Sequence, residues 1–485
     1  MKRHWVLISD LKRFNGIHNM RSFNIRERLR HLFLSTPTDP LRFERRAVLC
    51  GVALLALFLI PFLFKPWIHG NDGVRHYAYC RSFWLNGDFD LTNAFQHYYK
   101  AGELQEIRLD PKTGHPGNSQ GVGSAVLWSP FFLTGHILSY ITGSAHDGYS
   151  PPYIWMVCLG TVFYAALGLV LLTSVLIQRF GIAPALLVIP AIWFGTPLFF
   201  YMYMHPSMSH GCSFFLASLL LWEYERWRTQ GLLRHFFLMG LTAGLSAAVR
   251  LNDALLFLIP VGFWVRAYYL GMPSEDRYHE RKGIIWAGLL VCVGLFIGFF
   301  PQMVTWRYIY DAWLSGPRDY KLGNNLSLLK SPYFFDLLFS GWRGLFIWSP
   351  VLLFAAFGFA LLLRRRRFVD TTLAIIFILQ LWVVGGWSIW FGAASFGQRF
   401  FINLLPGFAL GLAWLYLCLR EGLPRRALVG ITVLCIFWNG GLAIQYCYKI
   451  IDREKRVTLS EITNNQFSAV PKWVLQHLHL VKQNK

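Results

Sequence analysis

Twelve apolar runs of sixteen to twenty-four residues occupy most of the chain between Ala47 and Tyr446. They lie near 47–63, 122–142, 154–177, 182–203, 208–225, 235–250, 253–270, 284–305, 344–363, 370–390, 401–419 and 427–446. A helix needs roughly 17–25 mostly apolar residues to cross a bilayer. Hydrocarbon offers no water to an open backbone group, so such runs must satisfy their own N–H and C=O groups as helices. The expected fold class is therefore all-α, a polytopic helical membrane protein. Only 15% of the residues are charged, against roughly 25% in a soluble domain.

The charge is one-sided, with 46 Lys and Arg against 25 Asp and Glu. Nucleic acid is not the implied partner, because the cations sit in short loops beside apolar runs, as the positive-inside rule requires. Examples are "RWRTQGLLRH" (226–235), "RRRR" (364–367) and "LPRR" (423–426). No basic face with interleaved aromatics accompanies them. Eight Cys are scattered, mostly within apolar runs and with no CxxC, which argues against a disulfide framework or zinc site.

Residues 1–45 are polar and basic, too long and too charged for the short leading region of a signal peptide. They read as a cytoplasmic tail on the anionic leaflet. Placing 226–235, 271–282, 364–367 and 425–426 inside leaves one run out of parity. The run 122–142 contains Pro130 and His136 and is expected to dip in or lie at the outer interface. About eleven transmembrane helices remain, with the N-terminus inside. The organisation expected is a basic tail (1–45), a transmembrane domain (46–447) whose first outer loop is 69–152, and a short outer tail (448–485). That tail is too short to build its own core.

The polar residues that remain gather at the outer side, and polar groups at a membrane's edge are costly enough to suggest function. Asp72 follows the first apolar run, between Asn71 and Gly73. A carboxylate there can take a proton from a hydroxyl, or merely cap the helix starting near Val74. Asp88 and Asp90 alternate with Phe89 and Leu91, so both face one side of an extended segment. They can hold a divalent cation or a sugar hydroxyl, or form a solvated turn. Arg75, Arg81, Arg250, Arg343 and Arg399 are placed outside, against the positive-inside tendency. Guanidinium groups there suit a phosphate in bidentate fashion, while snorkelling is the plain alternative for any one of them. His205 and His210 are five apart with Pro206 between them, which is not a helical metal spacing. They suit a contact to donor or acceptor, or simple packing. "GVG" (121–123) is too short for a nucleotide loop.

On these residues the chain resembles the GT-C glycosyltransferases, polytopic enzymes that use polyprenyl-phosphate sugars. "NDGVRHYAYCRSFWLNGDFDLTN" (71–93) is similar to the family's pattern of DG, a tyrosine, ARS and GD after the first span. "HPGNSQGVGSAVLWSPFFLTGHIL" (115–138) is similar to the Pro-Pro-Gly run that follows. The resemblance covers about residues 45–420. His76–Tyr77 stands where relatives often have a tyrosine pair, and "HPGNSQG" replaces Pro-Pro.

The resemblance implies a catalytic acid at Asp72, with Asp88 and Asp90 as a second acidic site. It implies donor phosphate binding by Arg250, Arg343 and Arg399, with Arg75, Arg81, His205 and His210 near the substrates. The implied reaction moves a sugar from a polyprenyl-phosphate donor to an acceptor hydroxyl on a glycolipid, polymer or protein. It would take place on the periplasmic side of a bacterial inner membrane. The resemblance fixes no cofactor and leaves a divalent cation open, and the membrane lipid is itself a partner. The other classes are a transporter or flippase of lipid-linked sugars and a non-catalytic envelope-assembly subunit. The first of these commonly shows internal repeats and charges near the bilayer midplane.

Overall fold

The structure, a computed structural model, describes residues 40–105, 107–270, 277–315, 327 and 329–483. The chain divides into two units, 1–47 and 48–485. Most of the basic tail, and parts of the loops 271–282 and 306–343, lie outside the described residues. Residues 40–47 form the start of helix α1 (Pro40–Phe58).

Every one of the twelve runs is helical. After α1 come α2 (Gly70–Arg81), α3 (Gly123–Thr142), α4 (Pro151–Phe180), α5 (Ile182–Phe194), α6 (His210–Gln230) and α7 (Arg234–Val249). Then follow α8 (Leu258–Leu270), α9 (Arg277–Tyr310), α10 (Val351–Leu363), α11 (Phe368–Gly385), α12 (Leu405–Cys418) and α13 (Leu423–Cys447). Among the described residues, eight helical stretches are long and apolar enough to cross a membrane, and α5 and α10 are shorter apolar helices. The all-helical polytopic class is thus the observed one. Among the described residues an isolated bridge pairs Leu109 with Pro116.

Helix α3 lies antiparallel to the first half of α4. The Trp128 indole N–H donates to the Thr161 hydroxyl at 2.9 Å. The Tyr164 hydroxyl donates to the Leu127 carbonyl at 2.9 Å. At ~1.5 Å per residue α4 is ~45 Å long, and a bilayer core is only about 30 Å thick. Helix α3 keeps to the half of α4 remote from Arg179. The sequence expectation has it dip in or lie at the outer interface, but its 20 residues place it among the eight stretches long and apolar enough to cross.

Several runs lose regular α structure near Arg250. Leu251–Phe257 and Arg399–Leu404 are 3-10 turns. Phe200–Met204 is a π turn, and Pro350 separates Leu345–Trp348 from α10. Irregular backbone survives at membrane depth only where it packs on protein or lines a cavity. These irregular ends mark one pole of the bundle as the place for a site.

The opposite pole is tied by charge. Arg179 donates to both oxygens of Asp370 at 2.9 and 2.8 Å, and Glu225 lies 3.5 Å from the same guanidinium. Both partners are buried, so α4, α6 and α11 are held together where their basic loops begin.

Helices α7 and α9 meet through two facing small-residue pairs. Cβ atoms on Gly240 and Gly244 would lie 2.4 and 2.3 Å from the carbonyls of Val291 and Leu295. Those on Gly294 and Gly298 would lie 2.4 and 2.3 Å from the carbonyls of Phe237 and Leu241. Spacing of four residues on each helix brings backbone against backbone, the packing that membranes favour where no hydrophobic drive exists between helices.

The C-terminal tail is a docked pair of helices, α14 (Leu459–Phe467) and α15 (Ala469–Gln483). Thr458 caps α14 by accepting the Glu461 N–H at 3.2 Å, with acid and hydroxyl spaced as in a capping box. Gln445 of α13 donates to the Ile462 carbonyl and to Gln466. The tail thus borrows the bundle's surface as its core.

Replacing Gly244 by Leu is expected to lower the unfolding temperature in nanodiscs, whereas Gly283→Ala, where nothing lies within 4 Å, leaves it unchanged or raised. Asp370→Ala removes the two-oxygen partner of the buried Arg179, leaving only Glu225 at 3.5 Å, and is expected to cost up to about 3–5 kcal/mol. A thermal scan that does not move for Asp370→Ala would refute the charge lock.

Candidate active site

The acid beyond the first span becomes the third residue of α2, whose N-cap is His69. A carboxylate in the first turn favours the helix through its dipole. The Asp72 side chain nevertheless turns away from the helix end. Arg399 approaches Oδ2 at 2.7 Å. The Gln120 amide donates to Oδ1 at 2.9 Å. Asp72 is 18% exposed and Arg399 13%, so this is a largely desolvated pair. Burial opposes ionisation of Asp72, but Arg399, with His76 and Arg250, outweighs it and holds the carboxyl below its ordinary range.

A cavity of about 180 Å³ opens beside this pair. Its polar wall contains Asp72, Gln120, Arg250 and Arg399, and its apolar wall contains Phe299, Trp306, Val383 and Trp387. The Arg250 guanidinium carbon stands 5.7 Å from the centre of the Phe400 ring and that of Arg399 5.6 Å from the same ring. His210 accepts a hydrogen bond from Arg250. The wall itself carries two guanidiniums and one carboxylate, with the buried Asp253 close behind Arg250, while the apolar wall continues the helical surface of α9 and α11. The geometry suits an anion carried on an apolar chain.

The segment 118–121 is laid across α2 by its own polar groups. The Asn118 amide donates to the Arg75 carbonyl at 3.0 Å. Tyr79 donates to the Gln120 carbonyl at 3.2 Å. The glycines of "GVG" have a packing role. A Cβ on Gly121 would lie 2.1 Å from the Ala248 carbonyl, and one on Gly123 2.4 Å from the Val249 nitrogen. They let this segment rest on the last turn of α7, directly before Arg250.

The remaining expected residues lie in different places. Arg75 is buried; it donates to Asn71 at 2.7 Å and to Ser119 at 3.3 Å, one layer behind the cavity. Arg81 reaches Asn86 at 2.9 Å and the Asp147 carbonyl at 3.3 Å. His205 donates to the His69 carbonyl at 3.1 Å and packs against the start of α2. Asp88 accepts the Asp90 N–H at 3.1 Å, and Asp90 accepts the N–H and hydroxyl of Thr92 at 3.0 and 2.6 Å. Asp90 also stands 3.9 Å from His115. These two acids order a turn and are not in the wall that carries Asp72. Among the described residues no group of three or more His, Cys, Asp or Glu could hold a metal ion.

Arg343 is almost fully buried and donates to the carbonyls of Ser395 and Arg453. Its φ is +66°, a conformation that costs a non-glycine residue about 1–3 kcal/mol. It therefore ties the tail to the loop that leads into Arg399, and does not line the cavity.

Two residues of this neighbourhood are not among the expected site residues, although both lie in stretches where the chain departs from the family pattern. Gln120 reads as an ordinary loop amide between turn formers. His76, one helical turn beyond Asp72, donates through Nδ1 to the Gly121 carbonyl at 3.1 Å. Burial pushes its imidazole down to about 4 despite the nearby Asp72 charge, so it is neutral at ordinary pH.

No family model and no curated protein matches the chain. Among solved structures it is similar to ArnT from Cupriavidus metallidurans in the apo state, at 12% identity over 88% of this chain and 75% of that one, with a TM-score of 0.43. The same protein bound to undecaprenyl phosphate matches at 12% identity over 87% and 75%, with a TM-score of 0.43. The archaeal oligosaccharyltransferase AglB from Archaeoglobus fulgidus, in complex with an inhibitory peptide and a dolichol-phosphate, matches at 13% identity, with a TM-score of 0.45. This chain covers 88% of its own length in that match and 54% of AglB, so it spans about half of that protein.

The lowered His76 value has a sign that can be measured. Stability from the neutral ring is complete above about 6.5 and is lost as pH falls toward about 4. Unfolding followed from pH 7 to 4 should show a steeper loss for the wild type than for His76→Asn, which keeps a donor near Gly121. Parallel curves would remove the assignment.

Proposed function

We propose that the chain is a membrane glycosyltransferase that moves a sugar from a polyprenyl-phosphate donor to an acceptor hydroxyl. The observation that carries this reading is the cavity in which Asp72 stands between Arg399 and Gln120, with Arg250 across it and an apolar wall behind. The resemblance of 71–93 and 115–138 to GT-C sequences supports it, because both stretches supply residues to this one wall.

In the proposed reaction the donor's phosphate rests against Arg250 and Arg399, and its tail follows the apolar wall. Asp72 accepts the proton of the acceptor hydroxyl. The acceptor oxygen bonds to the anomeric carbon. The bond from that carbon to the phosphate oxygen breaks, and its electron pair stays on the phosphate. Guanidiniums placed where charge develops are usually the largest contribution in such chemistry. Arg75 acts from behind, through Ser119 and Asn71. The periplasmic side of a bacterial inner membrane is the proposed location, with the cavity at the pole away from the basic loops.

The test is transfer of labelled sugar from undecaprenyl-phosphate donors to extracted envelope glycolipid, polymer and protein by the full chain in nanodiscs. Asp72→Asn is expected to lower transfer on the order of 10²–10⁴-fold, the usual contribution of a positioned base. Undiminished transfer by Asp72→Asn at equal protein level would sink the assignment.

A further inference from the structure

The Asp72–Arg399 pair poses a chemical difficulty for a base. Both carboxylate oxygens are engaged, Oδ2 by Arg399 at 2.7 Å and Oδ1 by Gln120 at 2.9 Å. A carboxylate so held is stabilised in its charged form and is a weak proton acceptor. The same Arg399 lines the cavity in which the phosphate is proposed to sit. One guanidinium thus faces two anions, one belonging to the protein and one to the donor.

We infer that the donor phosphate and Asp72 compete for Arg399, so that the phosphate draws the guanidinium away and leaves Asp72 free to act as base. The inference rests on the donor reading given above. Three features of the site permit the exchange. Arg399 and Arg250 both stand near the face of Phe400, at 5.6 and 5.7 Å, so a short swing along one ring brings the first beside the second. His210 braces Arg250, which leaves Arg399 as the cation that changes partner. Gln120 keeps its hold on Oδ1, so the carboxylate retains its place when Oδ2 is released.

The charges balance through the reaction. The donor is a phosphodiester with one negative charge. When the bond to the anomeric carbon breaks, the departing polyprenyl phosphate holds two, while the proton of the acceptor neutralises Asp72. Negative charge therefore leaves the carboxylate as it arrives on the phosphate, and Arg399 follows it. Before donor binds, the ion pair keeps the base quenched. An acceptor hydroxyl, or water, that reaches Asp72 without donor meets an occupied carboxylate.

Binding of undecaprenyl phosphate to the full chain in nanodiscs tests this, with wild type, Asp72→Asn, Arg399→Ala and the double variant compared after a thermal scan for folding. If Arg399→Ala does not fold, Arg399→Gln takes its place. Asp72→Asn is expected to tighten binding about fivefold or more, the lower range of ordinary coupling between sites. Arg399→Ala is expected to weaken it about tenfold or more. With Arg399 removed, the Asp72 substitution should change affinity by less than about twofold. Equal tightening in both backgrounds would mean plain repulsion between carboxylate and phosphate and would overturn the exchange. No tightening by Asp72→Asn, or an Arg399→Ala that binds as well as wild type, would also overturn it while the donor reading survives. Absence of binding by both wild type and Asp72→Asn would remove the donor reading itself.

Discussion

Backbone-to-backbone contact between α7 and α9 is the constraint on which the site depends. Gly240 and Gly244 face Gly294 and Gly298 at distances that leave no room for a side chain. This fixes the end of α7, where Arg250 begins, against the stretch of α9 that carries Phe299, Gln302 and Trp306. Gly121 and Gly123 then repeat the device by laying the 118–121 segment on the final turn of α7. Gln302 accepts the Val122 N–H at 2.9 Å, so α9 holds that segment as well. Cavity, guanidinium and Gln120 are therefore placed by one layer of close packing.

Charge is used differently at the two poles of the bundle. At one, Arg179 is buried with Asp370 and Glu225, and Arg228 at 2.8 Å from Glu225 supplies the second positive charge. Breaking such a group is expensive, so its role is to hold helices in register. At the other, two guanidiniums and one carboxylate line a cavity, with Asp253 buried close behind Arg250. The first group is closed on itself by direct ion pairs, whereas the second opens onto a cavity.

The residues expected from sequence do not share one fate, and the reasons are particular. Asp72, Arg250 and Arg399 are separated by long stretches of chain and converge on a single cavity. Arg343 was expected beside them for its position outside the span and its charge. Its partners are the carbonyls of Ser395 and Arg453, and a carbonyl partner leaves no trace in a sequence because every residue has one. Asp88 and Asp90 serve the turn that contains them, the local alternative that their spacing allowed. Gln120 and His76 showed only as departures from the family pattern, because an amide in a loop and a histidine on a helix are each compatible with many surroundings.

Hydrophobic run length, read from the sequence by itself, determined the all-helical class and the places of the helical runs. The distribution of Arg and Lys set 122–142 apart from the crossings, whereas by length and composition Gly123–Thr142 is one of the eight described stretches able to cross. Those properties are local, since each span answers to the bilayer before it answers to its neighbours. The sequence also determined that an acid would stand just beyond the first span. What Asp72 faces was decided only by the tertiary structure. The distance between Oδ2 and Arg399 is the sum of many packing contacts between α2, α7, α9 and the 3-10 turn at 399–404. No spacing along the chain encodes it, because the helices that bring the pair together are joined by loops whose lengths leave that approach open.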